Sequence, residues 1–259
     1  MATITTRDGA RLTYLDEGTG SPVVLVGGYG MALGAWGEQA VALQASGNRV
    51  VRYDRRGHGT SDVSAHGQRM ARHGKDVAEV LDALELDDVV LVGASMGASV
   101  IWSYVDLFGT DRLRGIVSID QTPKMINEGD WSLGFYDLTW DTVNAFVTGF
   151  PGGHQPFHQI PPPEILQLLM AERTNFDFDI MRPLLRDHTE ADWRDVLPLV
   201  DVPVLVITGR HSPLWPCESS LYIADTVPNG KAVICEESGH VPFLEQPEVV
   251  NDALVQFCR

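Results

Sequence analysis

From Thr3 to Asp16 apolar and polar residues alternate around Asp8-Gly9, the pattern of a β-hairpin. The alternation then gives way to short β-branched runs: Pro22 to Val26, Arg49 to Tyr53, Asp88 to Val92, Leu113 to Ile119, Val202 to Thr208 and Lys231 to Cys235. Runs of this length and continuity read as buried strands. Between several of them apolar residues recur with helical spacing, over Ala35 to Gln44, Gly67 to Leu86, Met96 to Leu107, Cys217 to Thr226 and Val249 to Cys258. Strand and helix in alternation predict an α/β fold with a mostly parallel central sheet flanked by helices.

The alternation stops between about Lys124 and Leu199, where no strand-like run occurs and aromatics are dense, among them Trp131, Phe135, Tyr136 and Trp140. Gly149-Phe150-Pro151-Gly152-Gly153 and Pro161-Pro162-Pro163 interrupt this stretch, so it reads as several short helices. The expected organisation is a core of residues 1–123 and 200–259, with residues 124–199 inserted as a helical cap. No internal repeat or low-complexity tract is present.

Charge narrows the partners. The chain of 259 residues has 35 acidic and 19 basic residues, a formal net charge of -16. No basic stripe remains to neutralise a phosphate backbone, so neither nucleic acid nor an anionic membrane is an expected partner. Cys217, Cys235 and Cys258 are odd in number, contain no CxxC pair and suggest no disulfide framework. The first residues lack an apolar signal core, and no run approaches the roughly 18 apolar residues of a membrane span. A cytoplasmic location is the expectation, and homo-oligomerisation is left open.

The chemistry centres on Gly93-Ala94-Ser95-Met96-Gly97. A serine hydroxyl becomes a useful nucleophile when a base takes its proton and a sharp strand-to-helix turn exposes its oxygen. This motif follows the strand Asp88 to Val92 and opens a helical run, the setting in which a GxSxG string carries that meaning. Ser95 is therefore the candidate nucleophile. His240 is the candidate base: it lies after the last strand, between Gly239 and a proline-containing turn, and follows the serine in the chain. His58 reads as architectural, and His66, His73, His154, His158, His188 and His211 have no comparable context or metal-ligand spacing.

With these landmarks the chain resembles the α/β-hydrolase family, most closely its small esterase, lactonase and cofactor-free haloperoxidase-like members. The likeness runs nearly end to end through four segments in the family's order: Val26-Gly27-Gly28-Tyr29-Gly30, Tyr53-Asp54-Arg55-Arg56-Gly57-His58-Gly59, the serine turn, and Ser238 to Pro247. The resemblance implies an oxyanion hole from the backbone N–H groups of Met96 and Tyr29. It also implies hydrolysis without metal or organic cofactor. The family often has a histidine where this chain has Gly27.

The acid of the triad departs from the commonest family pattern, which has an aspartate in a Gly-x-x-Asp stretch after the strand that follows the insertion. Here that stretch reads Gly209-Arg210-His211-Ser212, and a serine cannot carry the charge that stabilises an imidazolium. Asp120, at the end of the strand Leu113 to Ile119, lies on the same carboxyl edge of the sheet as Ser95. Zearalenone-lactonase-like enzymes and cofactor-free ring-cleaving dioxygenases are similar in placing their acid after this strand. Asp120 is the candidate acid; its other reading is a turn residue or helix cap before Pro123. Glu237 lies on the approach to the histidine's own turn, and Asp201 precedes its strand, at the wrong edge.

The cap is expected to cover this edge and form an apolar pocket, with Trp131, Phe135, Tyr136 and Trp215 as candidate lining. Together these readings predict a serine hydrolase for small hydrophobic esters or lactones. Two other readings stay open: a cofactor-free dioxygenase or perhydrolase, and a hydrolase-fold ligand receptor with little turnover.

Overall fold

A computed structural model describes residues 1–153, 155–164, 166–167 and 176–259. Eight strands, β1 (Ala2–Thr5), β2 (Arg11–Gly18), β3 (Ser21–Val26), β4 (Asn48–Tyr53), β5 (Val89–Ala94), β6 (Leu113–Ile119), β7 (Val204–Gly209) and β8 (Gly230–Cys235), form one sheet. Their order is β1-β2-β4-β3-β5-β6-β7-β8. The opening hairpin pairs β1 with β2 antiparallel, and β2 pairs antiparallel with β4; every other neighbour is parallel.

The central strands are mostly apolar, with Ser118 and Thr208 among the buried exceptions, because both sheet faces are covered. Successive side chains point to opposite faces. Val23, Leu25, Val90, Val92, Leu205 and Ile207 join one core, with Ala40 and Leu43 of helix Gly37–Ala45 and Val250 and Leu254 of helix Pro247–Phe257. Val24, Val26, Leu91, Val204 and Val206 join the other, with Val77 and Val80 of helix Met70–Ala83 and Val100 and Ile101 of helix Met96–Phe108. Helix Met96–Phe108 is buried continuously from Met96 to Val105, as its nearly unbroken apolar sequence requires.

The helix expected from Gly67 begins instead at Met70. Gly67 has φ +80°, Arg69 is extended, and the Met70 N–H donates to Asp187 Oδ2 at 2.7 Å. The capping carboxylate thus comes from a residue 117 positions away, which no local signal reveals.

Between β6 and β7 the described residues form helices Val143–Gly149 and Phe178–Glu190 and no strand. Asp177 caps the second helix, accepting from the Asp179 and Ile180 N–H groups. A third cluster, with Phe135, Leu138, Val143 and Val147, packs this segment onto Leu214 and Trp215 of the loop after β7. These described residues therefore lie at the carboxyl end of β7.

Candidate active site

Five strand-end loops converge on this edge: Gly27 to Gly30 after β3, Ser95 after β5, Asp120 after β6, Ser212 after β7 and His240 after β8. Ser95 sits on the strand-to-helix turn with φ 51° and ψ -128°, a conformation that a side chain rarely adopts. Its flanking glycines permit the turn for steric reasons. A Cβ on Gly93 would stand 2.5 Å from Ala98 N, and one on Gly97 would stand 2.2 Å from Val26 O. Ser95 is further fixed because its N–H donates to Ile119 O at 2.8 Å, and the Asp120 N–H donates to Ile207 O at 2.7 Å. Parallel pairing thus continues one residue past the strands and brings both residues out at the carboxyl edge of neighbouring strands.

Asp120 is fully buried and its carboxylate accepts four hydrogen bonds. Oδ1 accepts from Thr208 Oγ1 at 2.8 Å and from Gly209 N at 3.1 Å; Oδ2 accepts from Ser212 Oγ at 2.8 Å and from His240 Nδ1 at 2.7 Å. The short Asp120–His240 contact orients the imidazole and directs its Nδ1 proton toward the carboxylate. Ser212, at the position where the family's commoner pattern has the acid, donates to the carboxylate from the loop after the neighbouring strand. Neither Glu237 nor Asp201 hydrogen-bonds or pairs with His240; the Glu237 N–H donates to Gln246, and Asp201 accepts from Thr110 Oγ1.

The histidine turn is tied to the inserted segment by one carboxylate. Glu245 Oε1 accepts from Gly239 N at 2.9 Å, and Glu245 Oε2 accepts from the N–H groups of His158 and Gln159, both at 2.8 Å. The His240 N–H donates to Pro156 O at 2.8 Å.

Ser95 and His240 line the same cavity of about 460 Å³, with Gly28, Phe150, Phe157 and Leu214. A second, narrow pocket of about 40 Å³ contains Tyr29, Ser95 and Met96 but not His240. Met96 heads a helix, where first-turn N–H groups lie beyond the reach of intrahelical carbonyls and the helix dipole is positive. Gly28 packs directly on the nucleophile: a Cβ there would stand 3.2 Å from both Ala94 O and Ser95 Cβ. Tyr29 lines both pockets and Met96 the narrow one, so both residues adjoin Ser95.

The four aromatics expected to line a pocket divide. Phe135 and Trp215 line the narrow pocket, and Trp215 meets the His240 ring edge-to-face at 5.1 Å. Trp131 and Tyr136 line neither. Trp131 donates to Lys124 O, packs edge-to-face on Tyr222 and is covered by Arg194, while Tyr136 is half exposed. His154 lies outside the described residues.

Arg55, which carried no role in the sequence beyond its family-like segment, is buried behind the loop Gly27 to Gly30. Its guanidinium donates to Gly27 O and Gly28 O, both at 2.8 Å, and lies 3.0 Å from ring nitrogens of His58 and His73. Burial pulls its pKa down to about 10, which leaves it charged near neutrality. Burial also pushes the His73 pKa well down, so this histidine packs as a neutral ring beside the cation.

The comparisons with known proteins agree with this architecture. The chain is 28% identical to a non-heme chloroperoxidase of Kitasatospora aureofaciens, over 93% of this chain and 92% of that protein. It is 26% identical to a bifunctional esterase/perhydrolase of Acinetobacter calcoaceticus over the full length of both. The structure superposes on an esterase from Exiguobacterium antarcticum with a TM-score of 0.91 at 24% identity, covering 99% of this chain and 98% of that one. Residues 23–253 match the family described as the alpha/beta hydrolase family, a span that holds all five converging loops, and the chain belongs to that family.

Proposed function

We propose that the chain is a cofactor-independent serine hydrolase of small carboxylic esters or lactones. The observation that carries this reading is the 2.7 Å contact of Asp120 Oδ2 with His240 Nδ1 at a cavity that Ser95 also lines. Ser95 Oγ attacks the carbonyl carbon as His240 Nε2 takes its proton. The Tyr29 and Met96 N–H groups receive the oxyanion. His240 then protonates the departing alkoxide, and water, activated by the same imidazole, releases the acid and regenerates Ser95.

The two pockets take different halves of the substrate. The leaving oxygen must meet His240, which opens onto the large cavity and not onto the narrow pocket. The alcohol therefore occupies the 460 Å³ cavity, and a short acyl chain enters the 40 Å³ pocket. Residues 124–199 serve as the cap over both, and the three cysteines are free and buried, which suits a cytoplasmic protein.

In the test, a serine-reactive fluorophosphonate and p-nitrophenyl acetate are applied to the wild type and to Ser95→Ala. Labelling and turnover are expected to vanish together, with kcat lower by at least about 10³-fold. Retained turnover in Ser95→Ala overturns the mechanism. The relatives named as a chloroperoxidase and an esterase/perhydrolase favour a second reading of the same site, in which hydrogen peroxide replaces water as acyl acceptor. The acyl-Ser95 ester and H2O2 then give a peracid and free Ser95. Peroxide-dependent bromide oxidation that requires both an acyl donor and Ser95 is the expected sign.

A further inference from the structure

The narrow pocket beside Ser95 is lined by two buried rings whose N–H groups have no acceptor. His188, 5% exposed, comes from helix Phe178–Glu190, and Trp215, 1% exposed, from the loop after β7. Neither His188 Nδ1 nor Trp215 Nε1 has a hydrogen-bond partner among the described residues.

The tautomer of His188 follows from its neighbours. Gln121 Oε1 accepts from the Thr122 N–H at 2.8 Å, which turns the amide nitrogen Nε2 toward His188 Nε2 at 3.4 Å. An amide NH2 group only donates, so His188 Nε2 accepts and the ring proton resides on Nδ1. Burial, with the Arg55 charge adding to it, pushes the pKa of this imidazole down to about 3, so the ring is neutral at working pH. The indole N–H is likewise a donor only. Buried donors are paired in native proteins as a rule, and two rings that line one pocket and each carry an orphan donor point to an acceptor between them.

We propose that His188 Nδ1–H and Trp215 Nε1–H bind an oxygen acceptor on the acyl half of the substrate. The preferred substrates are then short acyl esters or lactones with a carbonyl or hydroxyl oxygen close to the scissile bond. This rests on the hydrolase reading of Ser95 and on the acyl chain entering the narrow pocket. The pocket's volume of about 40 Å³ admits only a few heavy atoms, and none of its lining residues is a carboxylate that would compete for the two donors.

The test compares kcat/KM for ethyl pyruvate, ethyl lactate and ethyl acetoacetate with that for ethyl propanoate, followed by acid release in a pH-stat. For each enzyme the readout is the ratio of oxygenated to unsubstituted ester, in which intrinsic reactivity cancels between variants and a partly misfolded preparation does no harm. For at least one oxygenated ester, the ratio is expected to fall about tenfold in His188→Phe and again in Trp215→Phe, each of which keeps a ring and removes one donor. A wild-type ratio in both variants overturns the proposal, and is the result if the donors only hold a water molecule or if the rings only pack. Hydrolysis of ethyl propanoate that survives Ser95→Ala overturns instead the reading on which it rests.

Discussion

Replacing Asp120 by asparagine tests the buried carboxylate most directly, because its four hydrogen bonds dictate how the amide must turn. The Gly209 N–H is a fixed donor 3.1 Å from Oδ1, whereas the Thr208 and Ser212 hydroxyls can rotate and accept. The asparagine oxygen must therefore take the Oδ1 position, and its NH2 group the Oδ2 position facing His240 Nδ1. An NH2 group there requires an unprotonated Nδ1, which moves the ring proton to Nε2, the atom that has to accept from Ser95. The size and packing of the site change little, while the base is held in the wrong tautomer and loses the charge that stabilises its imidazolium. The expected loss is about 10⁴-fold in kcat with KM changed far less, equivalent to about 5 kcal/mol of transition-state stabilisation. Steady-state turnover of p-nitrophenyl acetate, with circular dichroism to verify the fold, measures it. A kcat within tenfold of wild type, or a Ser212→Ala variant that loses more than Asp120→Asn, would refute the reasoning.

Other expectations follow from single contacts. Adding Ser212→Asp to Asp120→Asn returns a carboxylate to the same cluster from the loop after the adjacent strand, and kcat is expected to recover at least tenfold over the single variant. Gly97→Ala drives a methyl group against Val26 O at 2.2 Å, between backbone segments that cannot yield, so urea unfolding should show a loss of about 3 kcal/mol or more. Arg55→Met removes both donors that hold the Gly27 and Gly28 carbonyls; a slackened Tyr29 amide should lower kcat by about tenfold to a hundredfold, and an unchanged kcat would dissociate Arg55 from the site. His188 has its folded pKa pushed from 6.5 to about 3, so below about pH 6.5 the unfolded chain binds this proton first and acid favours unfolding. This residue should therefore erode stability by up to about 1.4 kcal/mol per pH unit from pH 6.5 down to about 3. That component should be absent from denaturant titrations of His188→Phe across the same range.

Much of the scaffold was legible because it is governed by short-range patterns. β6 occupies Leu113–Ile119 and the helix after Pro216 occupies Cys217–Thr226, the same bounds that apolar runs and helical spacing predict. Asp120 could be singled out because a residue directly after a parallel strand must emerge at the carboxyl edge, whatever its later contacts. The start of helix Met70–Ala83 was hidden because Asp187 supplies its cap from a distant part of the chain. Loop aromatics were harder still, since composition does not dictate which way a ring turns. Trp131 faces Tyr222 and Arg194 for reasons of tertiary packing, while Phe157 reaches the large cavity because Glu245 anchors its neighbours. His188 gave no signal, because its tautomer depends on Gln121, 67 residues away.

The hydroxyl of Ser212, 2.8 Å from the Asp120 carboxylate, has a bearing on how such enzymes diverge. β6 and β7 pair in register up to Ile119 and Ile207, and Asp120 directly after β6 and Ser212 in the loop after β7 meet at one shared spot beside the imidazole. Either strand can supply the negative charge there, provided that the other supplies something small enough to donate to it. An aspartate can thus migrate between strands by two substitutions without a rearrangement of the backbone. The geometry accommodates a carboxylate in either place, and a signature that scans only the position after β7 would pass over Asp120.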